Sequence, residues 1–132
     1  MSETSPPPAP APPGPAAQPA PPGVVLASLA DFQKLQLRTA QIVEARPHPK
    51  ADRLVIMQIQ VGEKSRQIVA GLRPFYTPEQ LTGRGIIVVD NLAPARLRGE
   101  LSEGMLLAVR LPEGGLRLLT TDGPAPTGLE VS

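Results

Sequence analysis

Cysteine is absent from the 132-residue chain. That absence removes disulfides, thiolate metal sites and cysteine nucleophiles together, and with no sign of an oxidising compartment a cytoplasmic location is the default expectation. Aromatic side chains are nearly as scarce. Only Phe32, Phe75 and Tyr76 are present, too few for a platform on which successive unpaired bases would stack. No run of about 18 apolar residues exists, and no basic segment followed by an apolar one opens the chain, so neither a membrane span nor a signal peptide is expected. Excess charge is also lacking. All 13 Lys and Arg lie between Lys34 and Arg117, and one of the 12 acids, Glu3, belongs to the leader, which leaves 13 bases against 11 acids in the remainder. So mild a balance does not argue for nucleic acid by itself, and any electrostatic case rests on where the charges cluster.

Proline is what the chain has in plenty. Ten of its 18 prolines fall between Met1 and Gly23, among Ala, Ser and Gly. Proline fixes φ and removes backbone donors, and little of useful size is available to bury, so residues 1–27 are expected to form a disordered tether. A ligand for a proline-binding module is the sharper alternative. Residues 28–132 remain for one small domain.

Along that domain, Ser28 with Asp31 three residues on opens a short helix whose Phe32 is expected to plug a barrel end. Leu37 to Ala45 favours extended structure until Arg46-Pro-His-Pro breaks it. Leu54 to Val61 alternates, with Val55, Met57, Ile59 and Val61 on one face, and Arg66 to Ala70 pairs back after a turn at Gly62. Thr77 as N-cap, Pro78 at the first helical position, Gln80 completing a capping box and Gly83 as stop mark a second short helix. Gly85 to Val89, Met105 to Val109 and a short Leu116 to Leu119 strand follow. Three strands, a short helix and two more strands predict an all-β chain of the OB-fold, a five-stranded Greek-key barrel, with a C-terminal strand extension.

Between the fourth and fifth strands runs Asp90 to Met105, too punctuated by glycine and proline for a helix or strand yet rich in polar groups. It reads as a working loop gripped at both ends by a sheet. His48, the lone histidine, sits between prolines without a second ligand at metal spacing, so it is expected to order its loop and not to bind metal. Glu100 and Glu103 have no nucleophile, metal cluster or phosphate-cradling motif beside them, so acid–base catalysis and a cofactor are not expected.

Several segments in order then resemble one family: Leu37-Arg-Thr-Ala-Gln-Ile42, His48-Pro-Lys-Ala-Asp-Arg-Leu54, Arg66 to Gly71, Tyr76 to Leu81, Asn91-Leu-Ala-Pro94, and Arg96-Leu-Arg-Gly99 followed by Ser102-Glu-Gly-Met105. The chain from about Phe32 to Val131 resembles the tRNA-binding domain found at the C-terminus of bacterial methionyl-tRNA synthetases, in their separate β chains and in free-standing relatives. The tail from Pro126 to Val131 also looks like that domain's usual end, implying a complete domain. The resemblance implies a non-catalytic chain that grips the folded corner of tRNA by shape and backbone and assists methionine–tRNA ligation. Scarce aromatics with several arginines fit that mode. It further implies a tRNA-binding role for Asn91, Arg96, Ser102 and Met105, with Arg38, Lys50 and Arg98 as neighbours. Read from the residues alone, Asn91 is equally a turn cap, Met105 equally a core residue, and Arg38 equally a surface partner of Asp52 or Glu44. Ala93, Glu103 and Gln36 stand where the family often has lysine, glutamine and aspartate; the first two lower the positive potential and predict weaker, salt-sensitive binding. Partners implied are tRNA, a second copy of the chain through Arg110 to Val131, and a catalytic synthetase chain. The alternative is a dimeric export-chaperone-like module that binds unfolded polypeptide.

Overall fold

A computed structural model describes residues 23–132, so the expectation for residues 1–22 lies outside the described residues. Residues 23–27 are exposed and carry no helix or strand. Two units divide the described chain, residues up to Phe32 and Gln33–Ser132. In the first, Ser28 and Asp31 cap helix α1 (Leu29–Gln33) reciprocally: Asp31 N–H donates to Ser28 Oγ at 3.1 Å and Ser28 N–H to Asp31 Oδ2 at 3.0 Å. No residue of α1 is buried, and Phe32, expected to plug a barrel, stays exposed because one turn of helix gathers too little apolar surface to bury it.

The second unit is all-β, with an OB-like curled sheet. Strands β1 (Leu37–Pro47), β2 (Val55–Val61), β3 (Lys64–Ala70), β4 (Gly85–Val89) and β7 (Met105–Leu106) form one sheet in the order β3-β2-β1-β4-β7. Strand β1 pairs with β4 through Leu37 to Gln41 and with β2 through Gln41 to Pro47. The register shifts between Ile42 and Glu44, leaving Val43 as an extra, exposed residue. Such a bulge bends its strand, which lets β1 serve both halves of the curl. Ile42, Val55, Met57, Ile59, Ile68, Leu81, Ile86 and Val88 fill the interior with Phe75 and Tyr76 packed against them. The alternation expected for β2 holds, and Ile56 is buried besides.

Helix α2 (Pro78–Leu81) has the predicted capping box: Gln80 N–H donates to Thr77 Oγ1 at 3.2 Å, and Thr77 N–H to Gln80 Oε1 at 2.9 Å. Its last residue, Leu81, is fully buried. At the far end the tail returns to the free edge of β1, with Thr39 N–H donating to Leu129 O and Val131 N–H to Leu37 O. The expected fifth strand divides: β7 stays in the sheet, while β8 (Ala108–Arg110) leaves it and pairs with β9 (Leu116–Leu118).

The largest departure concerns Asp90 to Met105. Instead of a loop, β5 (Ala95–Leu97) and β6 (Glu100–Ser102) form a hairpin, whose three-residue arms are too short to leave a periodic signal in sequence. This hairpin also closes the curl. Glu103 N–H donates to Gln67 O at 2.7 Å and its Oε1 accepts from Gln67 N–H at 2.9 Å, while Ser102 Oγ accepts from Val69 N–H at 3.0 Å. Side-chain oxygens thus stand in for a neighbouring strand along the outer edge of β3, a position that would otherwise present unpaired donors.

Candidate functional site

The turn at the hairpin tip contains only Arg98 and Gly99, with φ of 54° and 92°. Two positive φ angles in a two-residue loop are the I′ geometry that matches strand twist and favours Asn-Gly or Gly-Gly. Arg98 is the one non-glycine residue with positive φ among the described residues, and its side chain is exposed. Arg96, also exposed, reaches across the turn with Nη1 donating to Gly99 O at 3.4 Å. Two guanidinium groups therefore project from a short hairpin and keep most of their donors for a ligand. Such forks match phosphate oxygens.

Beside the arm lies a groove of about 340 Å³ lined by Leu92, Ala93, Ala95, Leu97 and Met105 on one wall and Val69, Ala70 and Gly71 on the other. Leu92, Leu97 and Met105 are 41%, 37% and 47% exposed. Met105 is thus a rim residue of the groove, not a core residue. A thioether beside two leucines is an adaptable apolar surface.

Two other polar side chains of this segment bond to the chain itself. Ser102 lines the groove but is buried, with its hydroxyl accepting from Val69 N–H and donating to Gly104 O at 3.0 Å each, so it shapes the β6–β7 corner. Asn91 clips backbone to backbone: Oδ1 accepts from Gln36 N–H at 2.8 Å and Nδ2 donates to Lys34 O at 2.7 Å. Asp90 N–H adds a bond to Gln36 O at 2.8 Å. Asn91 is exposed and retains one amide hydrogen for a further partner.

Asp90 organises a second basic cluster. Its carboxylate, with a side chain 3% exposed, accepts from Lys64 Nζ at 3.0 Å and Arg66 Nε at 3.4 Å. Burial alone would raise the Asp90 pKa, but the Lys64 ammonium and then the Arg66 guanidinium outweigh it and hold the carboxyl below its usual range. Arg38 lines the same cleft with Lys64, Asp90 and Gly128, and makes no ion pair with Asp52 or Glu44. The expected site residues therefore fall into two groups. Arg96, Arg98 and Met105 gather at the hairpin, whereas Asn91 and Arg38 lie toward the root of the segment. Lys50 belongs to the β1–β2 connection, which His48 ties to the hairpin by a 3.1 Å contact between Nε2 and Leu97 O. Lys64 and Arg66 were missed in sequence because they stand on the β2–β3 hairpin, and only the buried Asp90 shows that they face this segment; an acid flanking a strand end was the available signal.

An OB-like curled sheet with two exposed arginines on a short hairpin beside an apolar groove belongs to an architecture used by modules that bind nucleic acids or sugars. Sequence comparison gives the particular family. Residues 37–130 match the family described as "Putative tRNA binding domain", and the chain belongs to it. It is 48% identical over 99 residues to methionine–tRNA ligase of Halalkalibacterium halodurans, a match spanning 74% of this chain and 15% of that enzyme. The chain thus spans about a seventh of the length of the curated relatives it matches. Two solved structures are similar over their whole length. A MetRS-related protein from Pyrococcus horikoshii is 28% identical over 83% of this chain with a TM-score of 0.77, and the chaperone CsaA from Bacillus anthracis is 30% identical over 82% with a TM-score of 0.74. Among the described residues no helix is long and apolar enough to cross a membrane.

Proposed function

We propose that this chain is a non-catalytic tRNA-binding accessory protein, acting in the cytoplasm as the β chain of a methionine–tRNA ligase. The observation that carries the reading is Arg98, an arginine in a turn position where asparagine or glycine would be less strained, projecting beside an exposed apolar groove. Arg96 and Arg98 take backbone phosphates, and Lys50, Arg38, Lys64 and Arg66 extend the positive surface. The groove at Leu92, Leu97 and Met105 accepts a base or sugar exposed at the folded corner of tRNA. A-form RNA is read in this manner, by phosphate, 2′-hydroxyl and shape. Ser102 and Asn91 hold the surface in place, with Asn91 contributing its remaining amide hydrogen. Residues 1–27 form the tether and 28–132 the binding domain; the tether raises the local concentration of tRNA near a catalytic chain. A homodimer through Arg110 to Val131 completes the proposal, and a monomer by light scattering at working concentration refutes that part.

The test is equilibrium binding to folded tRNA, plain duplex RNA and an unstructured RNA across a salt series. Preference for folded tRNA is expected. Equal weak binding to all three refutes corner recognition. A second reading rests on the groove itself, whose lining is largely apolar, together with the likeness to CsaA: a dimeric module that binds unfolded polypeptide. Suppressed aggregation of a denatured client, unchanged by competing tRNA, would favour it.

A further inference from the structure

His48 is 4% exposed and has no charge-pairing partner among the described residues, yet both ring nitrogens are engaged. Lys50 N–H can only donate, so Nδ1, 3.0 Å away, must be an unprotonated acceptor. Leu97 O can only accept, so Nε2, 3.1 Å away, must carry the proton. The two contacts are compatible with one state, the neutral Nε2–H tautomer. Leu97 is the last residue of β5, and its carbonyl opens the turn that holds Arg98 in its left-handed conformation. The hairpin base is tied to β3 through Gln67 and Val69, and its tip is tied to the β1–β2 connection through His48, across 49 residues of sequence.

We propose that His48 is a positioning residue of the RNA site: in its neutral Nε2–H form it locks the arm bearing Arg96 and Arg98 to the connection bearing Lys50, so that three cations meet the RNA as one preorganised surface. This rests on the tRNA-binding reading above. Preorganisation matters because side chains and loops that must be ordered on binding each weaken association. A loose arm would keep its charges and lose affinity.

Two substitutions separate the contacts. In His48→Asn, Oδ1 replaces Nδ1 as acceptor for Lys50 N–H, keeping the local turn while losing the reach to Leu97. In His48→Gln, Nε2 can still donate to Leu97 O. His48→Asn should bind folded tRNA about 5- to 10-fold more weakly, the loss of roughly one hydrogen bond. Its salt slope should be unchanged, because no charge is removed. His48→Gln should stay within about threefold of wild type by the same reckoning. On the free chain, imidazole ¹⁵N spectra should show the proton on Nε2, and amide exchange at Arg98 to Glu100 should quicken in His48→Asn and recover in His48→Gln. A proton on Nδ1 overturns the proposal, as does equal binding by all three proteins, or a loss in both variants that tracks thermal stability with hairpin exchange unchanged. Wild-type chain that shows no preference for folded tRNA overturns the functional reading and this role with it. That failure is distinct from the others, because the tautomer and hairpin exchange are read without RNA.

Discussion

Arg98→Asn should make the protein more stable and a worse RNA binder. A left-handed backbone costs a residue bearing Cβ on the order of 1–2 kcal/mol, and asparagine relieves much of that through its short, locally bonding side chain. With φ of 54° at Arg98 and Gly99 already supplying the second positive φ, Asn-Gly is the pairing this two-residue turn favours. Among the described residues no hydrogen bond or ion pair from the Arg98 side chain opposes the gain, so roughly 0.5–1 kcal/mol should appear as stability. In a domain of this size that is a rise of about 2–6 °C in Tm. If the guanidinium holds one phosphate, losing it should lower affinity for folded tRNA about 10-fold and reduce the log–log salt slope by about 0.7–0.9. Thermal unfolding and equilibrium binding at four salt concentrations read both effects, and Arg98→Lys serves as control, keeping strain and charge together. A less stable Arg98→Asn would show that the turn is not strained by arginine. A more stable variant with unchanged slope would show that Arg98 is not a phosphate ligand.

Two other perturbations probe the frame. Asp90→Asn should cost about 1–2 kcal/mol at neutral pH, a charge-assisted pair discounted for the solvent exposure of Lys64. Because the folded-state pKa of Asp90 lies below its ordinary 3.8, that contribution is complete above about pH 4 and fades as the pH falls through the lower folded value. Urea unfolding from pH 7 to 2 should therefore show wild type and variant converging only at the acid end, and a constant gap would contradict the ion-pair account. Gly128→Ala should cost about 2–4 kcal/mol, since an added Cβ would lie 2.6 Å from Gly62 Cα at a φ of +83°. Limited proteolysis of the tail, read beside unfolding, would show no change if the tail did not depend on that contact.

The strands were legible where burial imposes a period. Val55 to Val61 alternates because one face meets the core, and α2 was legible because Thr77, Pro78 and Gln80 each satisfy a specific backbone need. The hairpin was not. Its arms are three residues long and every residue of β5 is exposed, so no apolar rhythm marks it. Residue types identified the segment as important but could not separate side chains that serve the chain from those left for a ligand. Ser102 and Arg96 look equally suited to an oxygen-rich partner in sequence. Only the closure of the curl, which brings Val69 N–H to Ser102 Oγ, shows that the serine is already spent. Lys64 and Arg66 were invisible as site residues for the converse reason, since pairing across 24 to 26 residues brings them to Asp90.

That division gives the segment its logic and a way to test it. Inward groups satisfy backbone donors and acceptors that would otherwise lie open: Ser102 and Glu103 along the edge of β3, and Asn91 on the segment leading into β1. Outward groups, Leu92, Arg96, Arg98 and Met105, remain available because the inward ones fix the backbone. The two kinds should differ in how salt acts on their mutants. On the proposed reading, removing an outward arginine should remove a phosphate contact and flatten the salt dependence, whereas removing an inward clip should loosen the surface and leave its charge intact. Asn91→Ala, which deletes the bonds to Lys34 O and Gln36 N–H, should therefore weaken folded tRNA about 3- to 10-fold, one or two hydrogen bonds' worth, with the slope of wild type. The binding assay used for Arg98→Asn checks it directly. Unchanged affinity would mean that the segment holds its shape without the clip. A flattened slope would mean that Asn91 orders the basic residues around it, and the line between inward and outward groups would have to be redrawn at the root of the segment.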